Sequence, residues 1–244
     1  MSAPRAHLVG NRIALAGAVI YFTEWLVIPF VPGLPFDVRG QSQDAVMHAL
    51  GERPGATGLA AGLFAIIMLG RLAFTAGLRG ALRHDTRVIP FADLALVAMT
   101  VGVVLELVEY GLLSGAAWLA GDGMAPQAVI GLDVGGAALN SLILVTTGAS
   151  VLAASWAMRQ SGMFRTWLGW LGLVGGSLFM FGGVGLTATL GADGLIASLS
   201  GITATIGLLA FWVWMVATAI VLFRNAPPKA AAPSPEPVST PAQR

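Results

Sequence analysis

The sequence predicts an all-α polytopic membrane protein, a bundle of six transmembrane helices with both termini in the cytoplasm. Three observations predict it. The 244 residues are 56% hydrophobic and only 10% charged, with a mean hydropathy of +0.80, whereas a soluble domain is about 25% charged. Six apolar stretches, at about 12–32, 57–78, 88–113, 128–157, 167–190 and 195–223, each approach or exceed the roughly 20 residues a spanning helix needs. The basic residues between those stretches fall on one side of a six-span thread.

The first stretch follows Arg5 and Arg12, and Pro32, Gly33 and Pro35 end it. It is longer than a signal-peptide core and no small-x-small cleavage site follows, so it is read as a retained span. The long outer loop over 33–56 contains a candidate short helix. Ser42 supplies an N-cap, Ala45, Val46, Ala49 and Leu50 form an apolar face, and Gly51 is a stop signal. Arg79, Arg83 and Arg87 fill the link between the second and third stretches. Pro90 suits a first helical turn, and Asp93 is placed to stabilise that turn through the helix dipole.

Arg159 and Arg165 flank the link between the fourth and fifth stretches, and Arg224 and Lys229 follow the sixth. The opposite side holds only Arg39 and Arg53, so residues 1–11 and the tail after 223 are expected in the cytoplasm, as in a bacterial inner-membrane protein. Trp156, Trp167 and Trp170 lie at the same boundary as Arg159 and Arg165 and read as interfacial anchors. Trp25, Trp212 and Trp214 lie deeper and read as packing residues, with the lining of a ligand pocket as the alternative. The tail over 224–244 is Pro-rich, has almost no large apolar residue, and is expected to be disordered.

Composition also excludes activities. A net charge of +1 gives nucleic acid no electrostatic footprint. With no cysteine, thiolate catalysis, disulfides and iron–sulfur clusters are out of reach. His7, His48 and His84 all lie outside the expected spans, which removes a bis-histidine haem. No cofactor or metal motif is found, and the expected partners are the lipid bilayer and a small ion or small molecule.

The informative residues are polar groups inside apolar stretches, where a charge needs a partner, a proton or water. Glu24 and Arg71 sit at similar depth on consecutive stretches and are the simplest ion pair. Glu106 and Glu109 are three apart on one helix face, with Tyr110 beside Glu106. Two acids this close in a low dielectric do not both ionise freely, and they offer a proton site, a cation site or a second partner for Arg71. Asp133, Asn140 and Thr147 recur every seven residues, with Gly136 between the first two, and form one polar stripe. GxxxG spacings at Gly58/Gly62, Gly111/Gly115, Gly131/Gly135 and Gly172/Gly176 permit close helix contact.

Two segments carry a family resemblance. VVLELVEYGLL over 103–113 and SGMFRTWLGWLGLVGG over 161–176 resemble an uncharacterised, domain-of-unknown-function family of six-span bacterial membrane proteins. The resemblance implies the same architecture and no activity. From the residues themselves the leading expectation is a small transporter or proton- or cation-conducting module using Glu24, Arg71, Glu106, Glu109, Tyr110, Asp133 and Asn140. A structural or regulatory membrane subunit is the alternative, and a lipid-modifying enzyme with paired acids is a third reading.

Overall fold

The computed structural model describes residues 3–24, 42–124, 126–190 and 194–224, with side chains from residue 9 onward. Seven α-helices and no strand are found among the described residues. They are α1 (Ala3–Phe22), α2 (Gln43–Gly51), α3 (Pro54–Leu82), α4 (Ile89–Gly121), α5 (Pro126–Ser161), α6 (Thr166–Ala188) and α7 (Leu195–Arg224). Residues 25–32 of the first apolar stretch, Trp25, and the tail beyond 224 lie outside the described residues.

Helices α3 to α7 are long and apolar enough to cross a membrane; in α1 the apolar part described is Val9–Phe22, which is shorter. Their outward faces are apolar. On α7, Leu199, Ile202, Ile206, Leu209, Val213, Val216 and Ile220 recur every three or four residues and are exposed. Such a stripe would aggregate in water and suits contact with acyl chains. Most helices overrun the expected spans, α4 running on through Gly121. Proline in the first turn starts α3 and α4, and Gly123 and Gly162, both at φ 66°, follow the ends of α4 and α5.

The six long helices form a closed ring in the order α1, α3, α4, α5, α6, α7, with α7 returning to α1. Neighbours run antiparallel, so the ring has two ends. Arg79, Arg83, Arg87, Arg159, Arg165 and Arg224 gather at one, called here the basic end. The α2 end carries Glu52, Arg53 and Asp122.

Backbone contact holds the basic half together. A Cβ on Gly17 would lie 2.3 Å from the Phe74 nitrogen, and one on Gly77 would lie 2.3 Å from the Ala14 nitrogen. Only hydrogen fits there, which lets α1 and α3 touch along Gly10, Gly17, Gly70 and Gly77. Gly148 meets Gly176 between α5 and α6, and Gly207 meets Phe179 between α6 and α7. Of the four GxxxG spacings, only Gly172/Gly176 forms a tight seam at both positions. Gly62, Gly111 and Gly131 face open space.

Buried polar bonds tie the same half across the ring. The Asn11 amide donates to the Leu222 carbonyl at 2.8 Å, closing α1 onto α7. The Ser150 hydroxyl donates to the Ala95 carbonyl at 2.7 Å, joining α5 to α4. Phe74, Phe211, Trp214, Met158, Leu168 and Met215 fill the space between them. Asp93 is not simply a dipole partner of its own helix. It forms an ion pair with Arg79 across the α3–α4 seam.

Trp156, Trp167 and Trp170 are each about half exposed, and the Arg159 guanidinium lies 4.0 Å from the centroid of the Trp170 ring. That stack suits a helix anchored at a membrane boundary.

At the other end, Ser42 caps α2 by accepting a hydrogen bond from the Ala45 amide at 3.3 Å. Val46 and Leu50 are buried against Ala116 of α4 and Val129 of α5. Gly51 is the last helical residue of α2, but its role is closeness: a Cβ would sit 2.9 Å from the Ala120 carbonyl carbon.

Candidate functional site

A cavity of about 350 Å³ lies inside the ring. Every long helix contributes to it: Tyr21 from α1, with Glu24 just beyond that helix, Arg71 from α3, Glu106 and Glu109 from α4, Asp133 and Asn140 from α5, Phe179 from α6 and Trp212 from α7. Asp133 is seven residues inside the start of α5, about 10 Å along its axis. Toward α2 the cavity reaches Leu113 and Leu132, which also pack against that short helix. Toward the basic end it stops at Ile143, Phe179 and Trp212, beyond which Phe211 and Trp214 are fully buried.

All seven polar residues singled out in the sequence line this space: Glu24, Arg71, Glu106, Glu109, Tyr110, Asp133 and Asn140. Their pairing differs from the simplest expectation. Arg71, only 4% exposed, forms its ion pair with Glu106 of α4, not with Glu24. Among the described residues no ion pair within 4.0 Å joins Glu24 to Arg71. The reason is rotation about the helix axis. Arg71 faces the α3–α4 seam, where Phe64 stacks on Tyr110 at 5.3 Å, and Glu106 lies one turn below Tyr110.

The remaining contacts form a short network. The Tyr110 hydroxyl faces the Glu106 carboxylate at 3.4 Å. The Asn140 amide donates to Glu109 at 2.9 Å, so Glu109 is held toward the interior and not toward an outer headgroup. The Arg71 guanidinium carbon lies 5.5 Å from the centroid of the Tyr21 ring, and the Tyr21 hydroxyl accepts from the Trp212 indole at 3.2 Å.

The polar stripe of α5 divides. Asp133, Gly136 and Asn140 line the cavity. Thr147 does not; it is fully buried in the α4–α5 seam, where a Cβ on Gly102 would lie 3.2 Å from its hydroxyl. Sequence reasoning placed Tyr110 in the site and offered Trp212 as a pocket residue, but missed Tyr21 and Phe179. Tyr21 and Phe179 look like ordinary core residues, and only the ring order reveals that they face one space with Trp212. Their signal was faint: Tyr21 and Trp212 each carry a polar handle inside an apolar stretch, and Phe179 carries none.

The site offers four carboxylates against one guanidinium. Arg71 pairs with Glu106, and by count of side chains the lining carries more acids than bases, with Glu24, Glu109 and Asp133 beside that pair. Such a lining attracts protons and cations and repels anions. In comparison with known proteins, no family model, no curated protein and no solved structure matches this chain.

Proposed function

We propose that the chain is a multi-pass protein of the bacterial cytoplasmic membrane, with six spans and both termini in the cytoplasm. In this reading it takes a proton or small cation from the α2 side into the central cavity and exchanges or conducts it. The six-span, uncharacterised family suggested by VVLELVEYGLL belongs to the same proposal. One observation carries it: residues from every long helix close around a single cavity with an excess of carboxylates. Intramembrane carboxylates that share a polar interior are the usual material of proton relays and cation sites. The basic end faces the cytoplasm under the positive-inside rule, which leaves α2 outside.

A structural clasp is the second reading, and the Arg71–Glu106 pair favours it. That pair accounts for two charges. It does not call for Glu24, Glu109 and Asp133 around an open volume.

The test is flux in liposomes of defined ionic composition with a pH-reporting dye inside. Wild-type protein is expected to couple proton movement to a cation gradient. Glu109→Gln is expected to abolish it while inserting normally, because glutamine can still accept the Asn140 hydrogen bond. Flux equal to that of empty liposomes, or flux unchanged in Glu109→Gln, would overturn the proposal.

A further inference from the structure

We propose that the cavity is shaped for a small organic ammonium ion, which deepens the cation reading above and rests on it. A proton path needs a file of waters, and an alkali ion needs a tight oxygen cage. Neither needs about 350 Å³, a volume at the lower end of the range that holds organic ligands. Among the described residues no three acidic or histidine side chains converge closely enough to hold a metal ion.

The walls carry the second half of the inference. Tyr21, Tyr110, Phe179 and Trp212 come from four different helices and all line the cavity. An ammonium group is attracted to aromatic faces, and the attraction grows when water is excluded. The Tyr21 ring already carries the Arg71 guanidinium, so Tyr110, Phe179 and Trp212 are the rings offered to the ligand. Glu24, Glu109 and Asp133 supply the compensating charge, while Leu132 and Leu208 give alkyl groups an apolar surface. One buried donor beside the Tyr21 ring, Arg71 Nε, has no hydrogen-bond partner among the described residues. Arg71 is almost fully buried and lines the cavity. A ligand with a hydroxyl beside its ammonium group offers that donor an acceptor.

The experiment is calorimetric titration of the full chain in nanodiscs of phosphatidylethanolamine and phosphatidylglycerol, lipids without quaternary amines. The probes are choline, tetramethylammonium and 3,3-dimethylbutan-1-ol, the uncharged carbon counterpart of choline. Saturable binding of choline or tetramethylammonium is expected, with the neutral counterpart at least about tenfold weaker. Trp212→Phe should stay within about threefold of wild type, and Trp212→Leu should lose about tenfold. Should Trp212→Leu misfold, Glu109→Gln provides the same loss through charge. No binding of either cation, or equal binding of the neutral alcohol, overturns the inference. If neither cation binds but liposomes still show Glu109-dependent flux of protons or alkali ions, the ammonium assignment falls and the broader cation function stands. If flux is absent as well, both fall.

Discussion

Helix α5 passes through two different environments. Between Ser141 and Met158 it buries Ile143, Thr147, Gly148, Ser150, Val151, Ala153, Ala154, Ser155 and Ala157, while before Asn140 only Val129 and Gly136 are buried. The whole bundle repeats this contrast. In the basic half, glycine, alanine and serine let backbones touch, and aromatic rings fill what is left. In the half nearer α2, glutamate, aspartate, asparagine and tyrosine line a cavity, while Gly182, Gly183 and Gly185 keep α6 close against α5 and α7. In lipid, where burial of apolar surface drives helices together only weakly, contact has to come from close packing and interhelical polar bonds. Both halves use both devices, but only the half nearer α2 leaves an open space between its polar groups.

The largest expected effect breaks the packed half. Gly17→Leu and Gly70→Leu each force a side chain into backbone, since a Cβ on Gly70 would lie 2.6 Å from the Gly17 carbonyl oxygen. Each is expected to cost about 3 kcal/mol or more, read as loss of monodisperse protein and easier unfolding in mixed detergent. Gly62→Leu is the matched control, because nothing lies within 4 Å of a Cβ there. Its stability should be unchanged.

Next comes the polar half. Arg71→Met strands Glu106 in the interior and should cost about 3–5 kcal/mol. Adding Glu106→Gln should restore much of that stability without restoring flux, and the same unfolding assay reads both. Asn140→Ala removes the amide that holds Glu109 at 2.9 Å. A cost of about 1–2 kcal/mol is expected, with a larger loss of flux than of stability.

The smallest effect lies outside both halves, in the link between α3 and α4. Arg87 grips Asp85 with two side-chain hydrogen bonds, at 2.9 and 2.8 Å. Those bonds hold the Asp85 carboxyl below the usual carboxylate range. A depressed carboxyl contributes its stability at pH values above the ordinary carboxylate value, and that contribution is lost as pH falls through the lower, folded value. Arg87→Gln should therefore raise the Asp85 midpoint toward the ordinary value in an NMR titration. Arg87 is exposed and Asp85 partly so, and the pair lies at the surface, so global stability should not change measurably at neutral pH.

The positions of the long helices are legible in the sequence because continuous apolar runs leave little else for the backbone to do in lipid. The cavity lining is partly legible for a related reason. A polar side chain in such a run must face inward, so Glu24, Glu106, Glu109, Asp133 and Asn140 converge once the ring closes. Depth along a helix can be counted from its ends, but rotation about its axis cannot. That is why Glu24 and Glu106, both near the level of Arg71, cannot be separated as its partner from sequence. Thr147 shows the same limit: it continues the stripe of Asp133 and Asn140, but lies where the helices have already met. The α1–α3 seam is hidden for another reason. Its glycines, Gly10 and Gly17 against Gly70 and Gly77, recur every seven residues and not every four, so the familiar small-residue spacing points elsewhere.

Cysteine accessibility tests the contrast most directly, since the chain contains no cysteine of its own. Single cysteines at Leu113 and Ala137 place a thiol on the cavity wall, and those at Ala154 and Ala157 place one in the packed half, where the native side chains are 2% and 0% exposed. A charged, membrane-impermeant thiol reagent added from the α2 side should label the first pair and spare the second. Equal labelling of all four positions, or no labelling at Leu113 and Ala137 in folded protein, would contradict an accessible polar cavity set above a closed, close-packed floor.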